Sequence, residues 1–419
     1  MSDEFKVGTG VVDITPPIGV SLAGGLRARK ATGIGTRLFA KATVFDDGET
    51  PLAIVSVDLC VLGRDFVDAA TAIVHERTGI PPERIMVTAS HTHAGPYTTP
   101  VFGADEDLDR DYLTTLPRYI ADAATLAHRQ LRPAQIGAAS GYEESVSHYR
   151  RVALKSGGVR NTWMRLDPKE IVGPVGMLDP EVGVLLVGGL EGHPISVVYN
   201  YTLHANCHAD RSLIDGSYPV RVAEIVEGMI GGTALYTPGA CGNINPVGKP
   251  DHVARVLSAE ILKVIQRIET TPDVTLQAKK VELELPLRDF SKLRIDAIRR
   301  DWPDGEDVFT EEWRRLKEAG TSSVATSVQA LALNDTAFVA VPGELFVEIG
   351  REIKKASPFR HTYVVELAND YVGYLPTRKA FDEGGYEVLD ARSSKVGPEA
   401  GEIVQAECIR ILNEDLTAN

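Results

Sequence analysis

The segment Leu52-Ala53-Ile54-Val55-Ser56-Val57-Asp58 is an unbroken apolar, β-branched run that stops at a carboxylate. Such a run reads as a strand buried on both faces. Residues 64–78 follow with helical patterning, closed by Gly79 and Pro81-Pro82, and Arg84-Ile85-Met86-Val87-Thr88 reads as a second strand. It empties into Ser90-His91-Thr92-His93-Ala94-Gly95-Pro96. The same strand–helix–strand plan recurs twice. One copy runs from Ile195-Ser196-Val197-Val198-Tyr199-Asn200-Tyr201, through a helix over 218–229, to Ala234-Leu235-Tyr236-Thr237. The other runs from Ala337-Phe338-Val339-Ala340-Val341, through a helix ending near 356, to a strand over 361–367. Short apolar runs alternating with helices predict an α/β fold. Ligands bind at strand carboxyl ends in open α/β sheets, so the plan brings His91, His93, His204, Asn243, Asn245, Glu344 and Tyr374 to one face.

Outside these units, 5–15 reads as an opening strand, 108–130 and 251–268 as helices, and 274–287 as an alternating strand. Residues 291–320 read as a charged helical excursion broken by Pro303 and Gly305. Residues 326–341 read as a hairpin turning at Asn334-Asp335, and 398–413 as a closing helix.

The 419 residues are 43% hydrophobic and 24% charged, which excludes a disordered or fibrous chain. Length alone suggests two or three domains. The formal net charge of -14 argues against nucleic acid and anionic membranes as partners, because both need clustered Lys and Arg. No apolar stretch reaches the ~20 residues of a membrane span. The start, Met1-Ser2-Asp3-Glu4-Phe5-Lys6, does not read as a secretory signal. Four scattered cysteines (Cys60, Cys207, Cys241, Cys408) do not make a disulfide framework. The expectation is a cytoplasmic enzyme with reduced thiols.

Several residue types carry metal or acid–base chemistry. His91 and His93, two apart on an extended segment, point to opposite sides, one toward a metal and one toward substrate. His204 either joins Cys207 and His208 in a local metal cluster or acts alone as a ligand at a strand end. Glu344 in Pro342-Gly343-Glu344 opens a helix, as a ligand or as a first-turn glutamate. Asp58 either orients a histidine or caps the turn after its strand. No Gly-x-Ser-x-Gly elbow is present, and Cys241 has no sequence-adjacent base to make it a nucleophile. Gly24-Gly25 reads as a turn near the active-site face.

The chain resembles the neutral, non-lysosomal ceramidase family. The resemblance rests on Gly8-Thr9-Gly10-Val11-Val12-Asp13-Ile14-Thr15-Pro16, Ser90-His91-Thr92-His93-Ala94-Gly95-Pro96, Pro342-Gly343-Glu344 and Asn369-Asp370-Tyr371-Val372-Gly373-Tyr374, in the family order over nearly the whole chain. It implies mixed β-sheets flanked by helices and one catalytic unit over 1–419, in place of two or three domains. It also implies one catalytic zinc ion held by His91, His204, Glu344 and Tyr374. His93 matches the family's substrate-facing histidine and Tyr386 a further active-site tyrosine. A family arginine matches Arg150, with Arg151 as the alternative.

Departures from the family pattern matter as much. Gly242-Asn243-Ile244-Asn245-Pro246 stands where the family has Gly-Asp-x-Ser-Pro, so Asn245 replaces a serine essential to amide cleavage. The sequence also ends at Asn419, without the family's C-terminal immunoglobulin-like domain, and lacks a secretion signal. These departures point to a smaller, more polar substrate than ceramide. The expected reaction is zinc-dependent hydrolysis of an amide, with His93 as acid/base or stabilising the developing oxyanion, and with Tyr386 and Asn245 donating hydrogen bonds to that oxyanion. An ester or lactone hydrolase, a metal-dependent lyase or isomerase on a sugar-derived substrate, and a non-catalytic binding protein are the alternatives. The basic stretch 148–165, with Arg150, Arg151, Lys155, Arg160 and Arg165, reads as a loop meeting an anionic or polar small molecule.

Overall fold

The computed structural model describes residues 4–102 and 105–416. Among them, the larger sheet has eight strands. They run in the order Thr233–Pro238, Pro194–Tyr201, Glu181–Gly189, Arg132–Tyr142, Lys6–Asp13, Phe39–Asp46, Leu52–Val57, Ile85–Ala89. A second sheet has the order Leu276–Pro286, Ser323–Leu333, Thr336–Ala340, His361–Val365. Each expected strand–helix–strand unit forms as a parallel pair. Arg64–Thr78 joins Leu52–Val57 to Ile85–Ala89, and Ser217–Ile230 joins Pro194–Tyr201 to Thr233–Pro238. Val347–Ala356 joins Thr336–Ala340 to His361–Val365. The strands between the two parallel ends of the large sheet pair antiparallel, which makes the sheet mixed.

Strand alternation explains the layering. Ala53, Val55 and Val57 pack with Val67, Ala70 and Val74 of the first helix and with Leu116 and Ile120 of Arg110–Arg129. Leu52 and Ile54 point the other way, into a core shared with Leu331, Leu333, Phe338 and Val365 of the second sheet. The outer face of that second sheet is covered by Ile349 and Ile353 and by Val404 and Cys408 of Ala400–Arg410. The layers are therefore helix, sheet, sheet, helix. A strand buried on both faces has no polar face to show, hence the continuous apolar runs.

The opening strand, the helices Arg110–Arg129 and Pro250–Ile265, the alternating strand and the hairpin at Asn334-Asp335 all form, with ends shifted by a few residues. The excursion splits at Pro303–Gly305 into Ile295–Asp301 and Glu306–Ala319. Three long strands, 39–46, 132–142 and 181–189, carry no assignment in the sequence reading. Two of them are rich in glycine and alanine, poor strand formers on their own. At Gly183 any side chain would overlap the ring of Tyr363, so close sheet-to-sheet approach selects the glycine that hides the strand.

The basic stretch is corrected. It is not a free loop but a three-stranded antiparallel sheet in which Arg151–Leu154 lies between Val159–Asn161 and Ile171–Pro174. Its cations are largely neutralised inside the protein: Arg150 and Arg151 pair with Glu387, and Arg160 with Asp301. No helix among the described residues is long and apolar enough to cross a membrane, and the four cysteines are free.

Candidate active site

The carboxyl ends of the parallel strands deliver the side chains. His91 lies two residues past Ile85–Ala89 and His204 three past Pro194–Tyr201. Glu344 does not open a helix; it lies in the short strand Glu344–Leu345, three residues before Val347–Ala356 begins. That strand pairs in parallel with Tyr374–Leu375, and the register sets Glu344 directly beside Tyr374. Pairing two Gly-flanked segments thus brings together residues 30 apart in sequence.

His91, His204 and Glu344 are all buried and their ligand atoms lie within 4.8 Å of one another. Glu344 Oε2 is 3.4 Å from His91 Nε2 and 3.3 Å from His204 Nε2. Glu344 Oε1 accepts the Tyr371 hydroxyl at 3.0 Å, but buried Oε2 has no hydrogen-bond partner. Such an orphan is costly unless a cation occupies the space in front of it. The imidazoles are oriented for that cation. His91 Nδ1 donates to the Cys60 carbonyl at 2.9 Å and His204 Nδ1 to the Cys241 carbonyl at 2.7 Å. Each bond fixes the proton on Nδ1 and leaves an Nε2 lone pair facing Glu344. A second group, Cys60, His91 and His93, is also close, but the His91 Nδ1 on its Cys60 side already holds a proton for the carbonyl.

Electrostatics agree. Burial alone would raise the Glu344 carboxyl, but His91 and His204 hold it well below the carboxylate range. Burial would lower His91, yet Glu344 and Cys60 raise it, so this spot attracts positive charge. His204 is pushed down to about 3 by burial and by Arg150. The residues fit a divalent cation of the kind bound by imidazole and carboxylate.

His91 and His93 do not point to opposite sides. His91 has φ 65°, which breaks the extended alternation, and the two Nε2 atoms lie 3.2 Å apart. His93 Nδ1 donates to Gly24 O at 2.9 Å. Gly24 has φ 80°, and a side chain there would overlap the His93 ring, so this glycine is the seat of that imidazole. Burial, then His91 and His204, hold His93 well below its ordinary pKa.

Arg150, rather than Arg151, reaches the site. It is buried; Nε donates to Glu387 at 2.9 Å, Nη2 to the Tyr374 hydroxyl at 3.0 Å and Nη1 to Asn245 Oδ1 at 3.3 Å. Its Nη1 also lies 3.1 Å from His204 Nε2. Arg151 is tied to Glu383 and Glu387 instead. Asn245 Oδ1 accepts from Arg150 and from Asn206 Nδ2 at 3.2 Å, and Asn245 lines the cavity. Asn243 faces away, donating to Glu348 and Tyr149 and accepting from Val347 N. The Tyr386 ring stands edge-on to Tyr374 with centroids 5.7 Å apart.

These side chains line a cavity of about 610 Å³, in the range that encloses a small molecule. Trp163, Trp302 and Phe102 add an aromatic wall, and Arg29 and Arg211 line it as well. Trp163, Trp302, Arg29 and Arg211 escaped the sequence reading, since no motif or strand end marks them, and Asn206 was passed over although it lies two residues beyond His204 after the same strand. Two alternatives are corrected, and the reading of Cys241 as no nucleophile agrees with its surroundings. Asp58 accepts from Phe39 N at 2.8 Å, tying its strand end to the start of the neighbouring strand Phe39–Asp46; it neither orients a histidine nor caps the turn that follows it. His204, Cys207 and His208 form no metal cluster among the described residues: Cys207 contacts Ser217 and His208 lies 3.8 Å from Asp215. Cys241 is buried with its thiol on Glu366, and burial pushes it well above an ordinary thiol.

No protein-family sequence model matches the chain. Among solved structures it is similar to neutral ceramidase from Pseudomonas aeruginosa, with TM-score 0.76 and 16% identity over 99% of this chain and 75% of that one. A ceramidase complexed with C2 aligns with TM-score 0.75 and 16% identity, over 99% of this chain and 76% of that one. The chain has the fold of these ceramidase structures.

Proposed function

We propose that this protein is a metal-dependent hydrolase that cleaves an amide in a small polar substrate, with one zinc ion held by His91, His204, Glu344 and Tyr374. The observation that carries this reading is Glu344 Oε2, buried without a donor and facing two imidazole Nε2 atoms. Bound zinc supplies Lewis acidity and makes water nucleophilic near neutral pH.

The chain's own groups do the rest. His93 is neutral because of its burial, and its Nδ1 proton is committed to Gly24 O. Its Nε2 therefore accepts the proton of the attacking water and returns it to the leaving nitrogen. The Asn245 amide nitrogen donates to the oxygen on which charge develops, as a hydroxyl would, without serving as a nucleophile. Arg150 braces Tyr374 and Asn245 at once and is itself anchored by Glu387. Trp163, Trp302 and Tyr386 exclude water and hold the apolar part of the substrate. The fold shared with neutral ceramidase supports amide cleavage, and the replaced serine supports a substrate other than ceramide.

The test is a screen of small N-acyl compounds with zinc-loaded protein in oxygen-18 water, read by mass spectrometry. The expected result is one oxygen-18 atom in the carboxylate product, abolished by His93→Ala. Turnover without label would mean elimination or isomerisation and would sink the proposal.

A further inference from the structure

The cavity is lined by four arginines and one carboxylate, Glu344. Two of the four are accounted for: Arg27 pairs with Asp307 at 2.8 Å and Arg150 with Glu387 at 2.9 Å. Arg29 and Arg211 have no acidic partner among the described residues. Arg29 is half-buried and held by main chain alone. Its Nη2 donates to the carbonyls of His93 at 3.0 Å and Ala23 at 3.4 Å, and its Nε to the carbonyl of Arg211 at 3.2 Å. Its Nη1 donates to nothing among the described residues and packs on Gly25, where any side chain would overlap it. The guanidinium is thus aimed by three carbonyls, one of them belonging to His93, and keeps one nitrogen free at the cavity.

Two guanidinium groups lining one cavity without a counter-ion disfavour each other. Burial and the nearby Arg211 both lower the pKa of Arg29. In a protein of net charge -14, a carboxylate partner would be easy to supply from the chain itself. Its absence leaves the pair's charge to be met by what enters the cavity. Planar arginine forks match oxyanions in shape and in hydrogen-bond direction.

We infer that Arg29 and Arg211 form an anion subsite that selects substrates carrying a carboxylate or phosphate group beside the hydrolysed bond. The inference deepens the hydrolase reading and rests on it for calling the anion part of a substrate. It moves anion recognition away from Arg150, whose charge is already met by Glu387.

The experiment is calorimetric titration of the full-length protein with glutarate, glycerol 3-phosphate and the neutral analogue glutaramide. Wild type is compared with Arg211→Gln, Arg29→Gln and the double variant; zinc content and melting temperature are measured on the same samples. Arg211 is exposed, so Arg211→Gln retains the fold even if Arg29→Gln does not. The expected result is binding of at least one anion by wild type, weakened about tenfold or more in Arg211→Gln and further in the double variant. Glutaramide binding should be weaker and indifferent to the substitutions. Preference for one of the two anions identifies the group recognised. Equal anion affinity in wild type and Arg211→Gln, or no anion binding by wild type, overturns the inference. Absence of zinc from wild type with arginine-dependent anion binding intact would contradict the metal reading alone.

Discussion

His91, His204 and Glu344 stand within a few residues of parallel strand ends, whereas Trp163, Trp302, Arg29 and Arg211 reach the same cavity from loops, a short strand and the helical excursion. The first set has its positions dictated by the sheets. A strand buried on both faces ends where it must, and the next polar side chains fall on the rim. The second set depends on how segments far apart in sequence lie over that rim. On the proposed reading, the difference ties catalytic chemistry to the sheets and leaves the choice of substrate to the elements draped above them.

The comparison can be broken at the joint between the two sets. Gly24 belongs to the draped elements yet seats His93 of the rim. Gly24→Ala should displace that imidazole and lower kcat almost as far as His93→Ala, by about 10²- to 10⁴-fold, with zinc content unchanged. An unaltered kcat would mean that the rim positions His93 without help.

Glu387 tests how firmly the three-stranded sheet is joined to the rim, since it anchors both Arg150 and Arg151. Glu387→Ala leaves two buried guanidinium groups short of a counter-charge and should cost about 3–5 kcal/mol in urea denaturation. A loss below 1 kcal/mol would show that the pair is dispensable. Asn245→Ala removes a donor but leaves the cradle intact. It should lower kcat by about 10²- to 10³-fold with little change in KM, and an effect confined to KM would make Asn245 a binding residue only.

The smallest effect concerns a rim carboxylate that faces away from the chemistry. Burial pushes Asp58 from 3.8 up to about 6, against the pull of Phe39 N and Lys41. The folded state therefore holds this proton more tightly than the unfolded chain does. The stability it contributes is fully present below about pH 4 and is lost as pH rises through about 6. Asp58→Asn keeps an acceptor for Phe39 N and should be more stable than wild type at pH 7, by up to about 3 kcal/mol, and nearly equal at pH 4. An identical difference at both pH values would refute this assignment.

Much of the rim was legible in sequence because apolar runs and the polar segments after them mark strand ends directly. All three parallel units formed, and His91, His204 and Glu344 came from the segments that follow their strands. What sequence hid has physical causes. The left-handed backbone at His91 turned the two histidines to the same side, against the strand period. The backbone pairing of Glu344 with Tyr374 replaced a helix start by a strand. Three long strands stayed unassigned, two of them rich in the glycine and alanine that sheet packing demands. The arginines at 150, 151 and 160 looked like a free basic loop because their acidic partners lie more than a hundred residues away in sequence.

The central claim is that the rim holds a metal through Glu344. Its most direct test is zinc stoichiometry after equilibrium dialysis, comparing wild type with Glu344→Gln and His204→Ala by elemental mass spectrometry. The account predicts about one zinc ion per chain in wild type and near-complete loss in both variants, with each still folded by circular dichroism. Full zinc retention in folded Glu344→Gln, or none in wild type, would contradict it.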